Sequence, residues 1–380
     1  MAGWKDITNV WKNVREVDLR PIREEALRNV NIAIVGLEGS RRQELADHLR
    51  SDPQRPDIRT QTPIWIDNLE AKEELALADL LILIVDGDEE AIPRQRAWAH
   101  QWSTSGKDVL VFYDVPEAVD KPEKQELVLL WDAARLVAGP LDDTVFLLST
   151  FATAVMDLLP DHHLSLARHY PLLRGPVAQK LINDTCMSNA AYSLSTGLAE
   201  VVPILGIPLN IADMVVLTKA QAFLVYRLGL ALGFSTQWQD YVSEFGSVIG
   251  GGFLWRQLAR SLVGLVPVWG IAPKVAVAYA GTYVVGHVVL RWYMTGRHVT
   301  RKQIQGLYRQ AFGQGKTIAR ELLAKAPRPR LGRRKADQIP AVTSPQTGAS
   351  VSDLQICPNC GKTSAPDALF CQYCGQSLVE

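Results

Sequence analysis

The chain has 380 residues, enough for two or three domains and too many for a single compact core. Lysine and arginine together number 40, as do aspartate and glutamate, so overall charge gives no argument for nucleic acid or an acidic substrate. Local charge and hydropathy therefore have to be followed along the chain.

Residues 1–29 predict two amphipathic helices. Apolar and aromatic residues recur at helical spacing among charges from residue 4 onward, and Pro21 stands where a second helix would begin. The opening sequence MAGWKDITNVWKNV has no apolar run of the kind a secretory signal needs, which favours a cytoplasmic front half. Trp4 and Trp11 allow two interpretations: packing on the next domain, or anchoring in a membrane interface.

Residues 30–151 alternate between short apolar runs and helical stretches. The helical stretches include RRQELADHLRS and IPRQRAWAHQW. Apolar strands that alternate with helices indicate a parallel sheet covered on both faces, so this segment is predicted to be an α/β domain. The strand candidates are NIAIVG from Asn31, PIWID from Pro63, LLILIVDG from Leu80, DVLVFYDV from Asp108 and TVFLLST from Thr144.

The first strand ends in a glycine and opens a helix, in IAIVGLEGSRRQEL, where a nucleotide-binding α/β domain has its phosphate loop. A working loop has glycine, four residues and then Gly-Lys-Ser/Thr. Counted from Gly36, the last three positions are Arg41, Arg42 and Gln43, so the second glycine and the magnesium-binding hydroxyl are missing. Arg42 can still act as a phosphate-pairing cation. Gly36, Gly39 and Arg42 are the candidate residues of a vestigial phosphate loop.

The order of these elements, from about Val30 to Phe151, resembles the small GTPase-like domain of the Era type. That resemblance implies a site for GTP and magnesium. The family's Asp-x-x-Gly falls at Asp67 to Glu70 and lacks the glycine, and its Asn-Lys-x-Asp falls near Tyr113 to Pro116 without a match. Ser149 and Thr150 stand in place of its Ser-Ala at the end of the last predicted strand. The degenerate motifs predict a domain that does not hydrolyse GTP, with GTP itself still a candidate ligand.

Residues 152–326 are predicted to be helical around an apolar block from about Asn189 to Met294. Helices that are apolar almost all round lie in a large core or in a membrane. The sixteen residues from Val275 to Leu290 carry no charge, somewhat fewer than the ~20 that a spanning helix needs. Pro273 and Lys274 mark either a turn between two helices or a kink in one. Elsewhere in the block, polar residues form one narrow helical stripe in which a structural ion pair is expected: Asp213, Lys219 and Arg227.

The sequence IP...AD...LTKAQ...YRLGLALG, followed by LVPVWGIAPKVAVAYAGTYVVGHVVLRWYMTG, resembles the bacterial domain of unknown function 697 over about residues 188–312. That domain often follows an Era-like GTPase domain, and the resemblance implies a membrane-associated helical region. Basic residues from Arg291 to Lys302, and again from Arg328 to Lys335, suit the cytoplasmic flanks of membrane segments. The expected location is the cytoplasmic face of the cell membrane with both termini cytoplasmic, and a purely cytoplasmic helical core is the alternative.

The chain closes with a linker and a cysteine-rich segment. Residues 327–355 are rich in proline, serine, glycine and charge, and are predicted to be a linker. Residues 356–380 contain CPNCG and FCQYCG, two CxxC pairs that can bring four thiolates to one tetrahedral zinc ion. A disulfide or redox pair is the alternative. The segment resembles the short zinc-ribbon family, and the predicted ligands of a structural zinc are Cys357, Cys360, Cys371 and Cys374.

These features predict a membrane-associated, non-hydrolysing GTPase-like adaptor or scaffold whose zinc ribbon binds an unknown protein partner. The alternative is an active GTP- or ATP-dependent membrane-linked switch that uses an irregular phosphate loop with Arg42. Nucleic acid is not an expected partner, because Lys362, Asp367 and Glu380 give the ribbon no basic face. The remaining cysteine, Cys186, is predicted to be a buried small hydrophobe.

Overall fold

The computed structural model describes residues 18–71, 73–86, 88, 90–115, 131, 134–200, 209–241, 271–296, 299–325, 355–356, 358 and 363–364. The chain divides into two compact units. The first comprises Leu19–Leu181 and Val225–Glu244, and the second comprises Met1–Asp18, Ile182–Leu224 and Phe245–Glu380. The first predicted N-terminal helix, the linker and the four predicted zinc ligands lie outside the described residues.

The first unit is an α/β fold built on five parallel strands. Pro21 lies in the first turn of its first helix, as the sequence predicts. The elements in chain order are α1 (Arg20–Leu27), β1 (Ile32–Val35), α2 (Arg42–Arg50), β2 (Ser51–Asp52), β3 (Arg55–Arg59), β4 (Ile64–Asp67), α3 (Glu73–Ala76), β5 (Leu80–Val85), α4 (Ile92–Thr104), β6 (Asp108–Asp114), β7 (Arg135–Gly139), α5 (Thr144–Phe146), a π-helical stretch (Leu147–Phe151), α6 (Ala152–Leu158), a 3₁₀ turn (Pro160–His162), α7 (His163–His169) and a second 3₁₀ turn (Pro171–Leu173).

The sheet has the strand order β4-β1-β5-β6-β7, and every pairing in it is parallel. From β1 the chain first builds outward to β4 and then crosses to β5 on the other side. In such doubly wound sheets, ligands bind at the carboxyl ends of the strands where the order reverses. That point lies here between β1 and β5, beside the loop that follows β1.

Both faces of the sheet are buried, which explains why its strands are continuous apolar runs. On one face Val35, Leu83 and Val111 belong to a core that includes Trp98 of α4 and Leu75 of α3. On the other face Phe112 meets two aromatic rings edge-on, with centroid separations of 5.9 Å to Phe146 and 5.5 Å to Phe151. The predicted α/β domain with a parallel sheet is thus confirmed as a fold.

One predicted strand is wrong, and three strands of the first unit were not predicted: β7 of the parallel sheet and the short antiparallel pair β2 and β3. TVFLLST is helical, because the side chain of Asp143 caps a helix by accepting a hydrogen bond from the backbone N–H of Val145. The last strand is instead β7, whose buried run LVAG is followed at once by Pro140. Ser149 and Thr150 therefore lie in a helical stretch, away from the carboxyl end of any strand.

In the part of the chain described after Leu173, the long helices are α8 (Arg174–Glu200), α9 (Leu209–Ala231), α10 (Ile271–Thr295) and α11 (Arg301–Lys325). The boundary between the two units falls inside α8 and inside α9. The end of α9 belongs to the first unit, where Arg168 Nη1 donates to the carbonyl oxygens of Leu230 at 3.1 Å and Phe234 at 2.9 Å. Leu230 lies in the last turn of α9, where its carbonyl also accepts the N–H of Gly233 at 3.1 Å, and Phe234 follows the end of the helix.

In the second unit, α10 and α11 form an antiparallel hairpin joined by residues 296–300. Pro273 and Lys274 lie in the first turn of α10, and the preceding part of the predicted apolar run lies outside the described residues. Residues 301–325 form one helix rather than two. Cys186 of α8 is fully buried and its pKa is raised by burial, which confirms that it behaves as a core residue.

Among the described residues, one helix is long and apolar enough to cross a bilayer by length and composition, Ala272–Thr295 of α10. A second candidate arises only if Thr144–Leu158 and Pro160–His169, bent by 103° at their junction, are counted as one span. In α10, 61% of the most apolar window is buried inside the protein. A core helix of a soluble protein has the same properties.

Candidate functional site

The loop between β1 and α2 contains both predicted loop glycines, and each position requires glycine. A Cβ on Gly36 would lie 2.5 Å from Ser40 Oγ and 3.2 Å from the carbonyl oxygen of Ile84 in β5. Gly39 has φ +87°, in the left-handed region that side chains disfavour. The loop is therefore a tight turn pressed against the neighbouring strand at the switch point of the sheet.

Backbone groups that a phosphate loop would direct at a ligand are used inside this turn. The N–H of Ser40 donates to the carbonyl of Leu37 at 3.1 Å, and the Ser40 hydroxyl donates to the same oxygen at 2.8 Å. The N–H of Arg42 donates to the carbonyl of Ser40 at 2.8 Å. A phosphate cradle depends on amides that point outward, so these two amides do not contribute to one.

Arg41 occupies the centre of the site. Its guanidinium grips the carboxylate of Glu44 in a bidentate pair at 2.7 and 2.6 Å. It also reaches Asp114 at the end of β6, at 3.2 Å, and Asp142 in the turn after β7, at 2.5 Å. The second oxygen of Asp114 accepts the backbone N–H of Leu141 at 3.1 Å. One cation thus joins α2, β6 and the turn after β7.

The electrostatics of this network favour the charged forms of Arg41 and Asp142. Hydrogen bonds to Glu44, and then to Asp142, raise the pKa of Arg41 above its usual range. The hydrogen bond from Arg41 lowers the pKa of Asp142. One guanidinium stands against three carboxylates, so the network carries excess negative charge where a nucleotide would bring more.

Further carboxylates strengthen that negative charge. In this parallel sheet the carboxyl ends of all five strands lie at one edge, and four of those strands end in or are soon followed by an aspartate. Asp67 ends β4 and Asp86 follows β5, and they add to Asp114 at the end of β6 and Asp142 after β7, which already pair with Arg41. An acidic edge repels a polyphosphate that has no bound cation to offset its charge.

Arg42, the remaining candidate phosphate ligand, is occupied by the protein. Its Nη1 donates to the backbone carbonyl of Asp67 at 2.5 Å. Gln43, at the position of the magnesium-binding hydroxyl, donates through Nε2 to Asp47 at 3.1 Å. Neither side chain is directed at a ligand position in this arrangement.

The segment Asp67 to Glu70, which matches the degenerate Asp-x-x-Gly, is held by its own side chains. Asp67 Oδ1 accepts the N–H of Asn68 at 2.8 Å, and Asn68 Oδ1 accepts the N–H of Glu70 at 3.0 Å. The carboxylate of Glu70 pairs with Arg94 of α4. Because Arg42 donates to the backbone carbonyl of Asp67, both ends of this segment are bonded to other parts of the unit.

The structure brings Gly36, Gly39 and Arg42 together in one loop, as predicted from the sequence. It also shows partners that the sequence analysis did not assign: Glu44, Asp114 and Asp142. Asp114 lies inside the YDVP segment that failed to match a base-reading motif, so the mismatch hid its role as a partner of Arg41. The sequence feature that could have identified Asp114 is an aspartate at the end of a buried strand.

The predicted ligands Cys357, Cys360, Cys371 and Cys374 lie outside the described residues, so the zinc site stays a prediction. Nearby, β8 (Gln355–Ile356) and β9 (Thr363–Ser364) form a short antiparallel pair. Where the chain is described, no group of three His, Cys, Asp or Glu residues is placed to hold a metal ion.

A comparison with protein-family models, curated proteins and solved structures finds no match to this chain. Function is therefore inferred from the geometry of the site and from the sequence.

Proposed function

We propose that the α/β unit is a non-hydrolysing, GTPase-like scaffold within a membrane-associated adaptor. The observation that carries the proposal is the ion-pair network of Arg41. Its guanidinium and three carboxylates fill the carboxyl end of the sheet beside the loop, where a nucleotide would otherwise be expected.

Nucleotide binding would have to dismantle this arrangement. The guanidinium of Arg41 would have to separate from its three carboxylate partners. Asp114, whose side chain is only 11% exposed, would then lose a charged partner. Breaking one partner of a largely buried pair is costly, because a desolvated charge remains. No hydroxyl stands at Gln43 to bind magnesium in compensation.

A conformational switch needs an element with two arrangements, one of which the ligand favours. In GTPase-like switches the glycine of Asp-x-x-Gly follows the γ-phosphate. Here that position is Glu70, whose carboxylate is paired with Arg94, and the segment is held by Asn68 and Arg42 as well. This bracing supports a static scaffold.

The adaptor part of the proposal rests on the rest of the chain. The basic helix α11 supports membrane association, and the two CxxC pairs support a zinc-stabilised module for a protein partner. No residue set in the described part of the chain forms a nucleophile or acid–base constellation with this site, and the proposal includes no catalysis.

Nucleotide binding by the full-length protein tests the scaffold directly. Isothermal titration with GTP and with ATP, each with magnesium, is expected to give no saturable binding tighter than about 1 mM. Magnesium-dependent turnover that disappears in Arg42→Ala, but persists in the exposed-site control Arg96→Ala, would instead establish the alternative of an active switch.

Membrane association is tested by fractionation of cells that express the full-length protein. The protein is expected in the membrane pellet, and it should leave that pellet on addition of detergent. Recovery in the high-speed supernatant without detergent would contradict the membrane part of the proposal and leave the scaffold part intact.

A further inference from the structure

The way α10 and α11 pack determines how this chain can meet a bilayer. The two helices are separated only by residues 296–300, and Gly315 of α11 backs onto Ala276, near the other end of α10. A Cβ on Gly315 would lie 2.9 Å from the backbone of Ala276. The helices therefore lie side by side over at least ~21 Å, the rise of α11 from Arg301 to Gly315.

Most of the apolar length of α10 is packed against protein, with 61% of its most apolar window buried. Every side chain from Ala272 to Leu290 is buried or half-buried. At its midpoint, the hydroxyl of Thr282 accepts hydrogen bonds from Asn189 of α8 at 2.7 Å and from Gln221 of α9 at 3.4 Å. This is the environment of the central helix of a bundle, with three other helices of the second unit against it.

α11 has a buried face and a basic one. Ile304, Tyr308, Ala311 and Ala319 are buried, which fixes the face that packs inward. Lys302, Arg309 and Lys316 recur at seven-residue intervals and Arg320 follows four residues later, so the four cations lie within roughly 40° of one another around the helix. We call these four residues the basic stripe.

The basic stripe is open to a partner. All four of its residues are exposed, and none of them makes an ion pair with any described carboxylate. Glu321 is the one acidic residue of α11. Lys316 lies over the ring of Phe312, 4.8 Å from its centroid, which leaves its charge available. The stripe extends ~27 Å along a straight helix.

These two features exclude a bilayer-spanning α10 in this packing. If α10 crossed a membrane with α11 beside it, the basic stripe would lie at the depth of the hydrocarbon, where unpaired cations are strongly disfavoured. Moving α11 away would expose the backbone contact at Gly315 and the buried side of α11. The apolar run of α10 is accounted for by the bundle core.

We propose that the chain meets the membrane peripherally, with the basic stripe of α11 bound to anionic lipid headgroups. This inference rests on the proposed membrane association and identifies its contact surface. A straight row of cations on a helix backed by its bundle is complementary to a flat anionic surface, which attracts each cation independently within a Debye length.

Nucleic acid is the other polyanion that such a row could contact. Single strands are held by aromatic side chains that stack on bases, whereas on α11 Tyr308 is buried and Phe312 is partly buried. Reading a duplex groove requires a helix that protrudes, and α11 lies along α10. The observations therefore favour lipid, and nucleic acid becomes an outcome of the test.

Vesicle flotation with the full-length protein tests the proposal. The probes are phosphatidylcholine vesicles, and vesicles in which phosphatidylserine replaces part of the phosphatidylcholine. The test variant combines Lys302→Gln, Arg309→Gln, Lys316→Gln and Arg320→Gln. The matched control removes four exposed cations of the first unit through Arg23→Gln, Arg28→Gln, Arg59→Gln and Arg96→Gln, so both variants lose the same charge.

The wild type and the control are expected to float with the anionic vesicles and not with the neutral ones, and added salt should release them. Each neutralised cation of the stripe should weaken binding about fivefold, equivalent to ~1 kcal/mol per cation near an anionic surface. The four-residue variant should therefore lose binding, and circular dichroism should show it to be as helical and as stable as the wild type.

Several results would overturn the proposal. Equal flotation of the stripe variant and the control, or salt-insensitive binding to neutral vesicles, would show that the stripe is not the contact. Displacement from anionic vesicles by duplex or single-stranded oligonucleotides at lower phosphate concentration than lipid would favour nucleic acid. If cells retain the stripe variant in the membrane pellet, the proposed membrane association stands and this inference fails.

Discussion

The side chain of Arg41 shows how a single residue changes the chemistry of a loop without changing its backbone. The turn keeps the tight approach at Gly36 and the positive φ at Gly39. It also keeps the length of a phosphate loop, since α2 begins at Arg42. The guanidinium of Arg41 then fills the site with an internal ion-pair network. Sequence counting identified the loop and the missing glycine, but the partners of Arg41 come from segments 73 and 101 residues away.

Arg41→Gln should lower the free energy of unfolding by about 1–2 kcal/mol, because the largely buried Asp114 loses its charged partner. Glu44→Gln is the control. Its side chain is 42% exposed, and the exposed pair it weakens should contribute about 0.5 kcal/mol or less. Urea unfolding of the full-length protein measures both. Equal losses in the two variants would mean that Asp114 does not depend on Arg41.

His169 should make stability dependent on pH. Burial, with a smaller effect of Arg168, lowers its pKa from the ordinary value of 6.5. The unfolded chain then binds the proton more readily, so the free energy of unfolding falls as pH drops below about 6.5 and levels off below the folded-state pKa. Burial also lowers the pKa of His287 from 6.5, so this residue contributes to the pH dependence with the same sign.

Thermal unfolding between pH 7.5 and 5 should therefore show a shallower loss in His169→Gln than in the wild type, with a residual slope from His287. Substitution of the exposed His100 by glutamine is the control and should keep the wild-type slope. A wild-type slope in His169→Gln would contradict the assignment.

At the scale of elements, four strands of the sheet could be predicted from the sequence. β1, β4, β5 and β6 coincide with apolar runs in the sequence, since a covered parallel strand has no polar face to interrupt it. β7 was not predicted because its buried run, LVAG, includes alanine and glycine, which are uncommon in strands. TVFLLST was misassigned because a short apolar run has the same composition in a strand and in a buried helix, and its cap at Asp143 decides between them.

The helix pair α10 and α11 offers a test at the same scale. Gly315→Val should destabilise the protein by about 1–3 kcal/mol, because its Cβ would meet the backbone of Ala276 at 2.9 Å and no rotamer relieves a backbone clash. Gly313→Ala is the matched control on the same helix. A Cβ there meets no atom within 4 Å, so the substitution should stabilise the protein by up to ~1 kcal/mol through helix propensity. A tolerated Gly315→Val would contradict the close packing.

For the whole molecule, composition separated the α/β part from the apolar helical part, but it could not decide what surrounds α10. Sixteen uncharged residues fit a bilayer and a bundle core equally well. The difference lies in tertiary contacts such as Gly315 with Ala276 and Asn189 with Thr282, which no local pattern specifies. The regular spacing of basic residues on α11 was visible in the sequence. Its consequence for membrane contact follows only from the packing of α10 beside α11.

The cysteine-rich end yields a prediction that concerns the intact protein. Metal analysis of the full-length chain should give one zinc per molecule, because two CxxC pairs supply a complete tetrahedral set of thiolates. The double variant Cys371→Ser, Cys374→Ser should lose that zinc. Cys186→Ala should retain it while being less stable, since Cys186 is fully buried. Zinc retained in the double variant would place the metal elsewhere.

The bonds from Arg168 to the carbonyls of Leu230 and Phe234 also bear on how the chain folds during synthesis. The first unit is discontinuous in sequence, because it stops at Leu181 and resumes at Val225. After Leu181 has been made, the ribosome must add about 60 further residues before the last described part of this unit exists, which takes ~3–12 s at ~5–20 residues per second. During that interval all five strands of the sheet have been synthesised, yet Arg168 has no helix end to cap. The two units are therefore interleaved in translation, and Ile182–Leu224 of the second unit is made before the first unit can close.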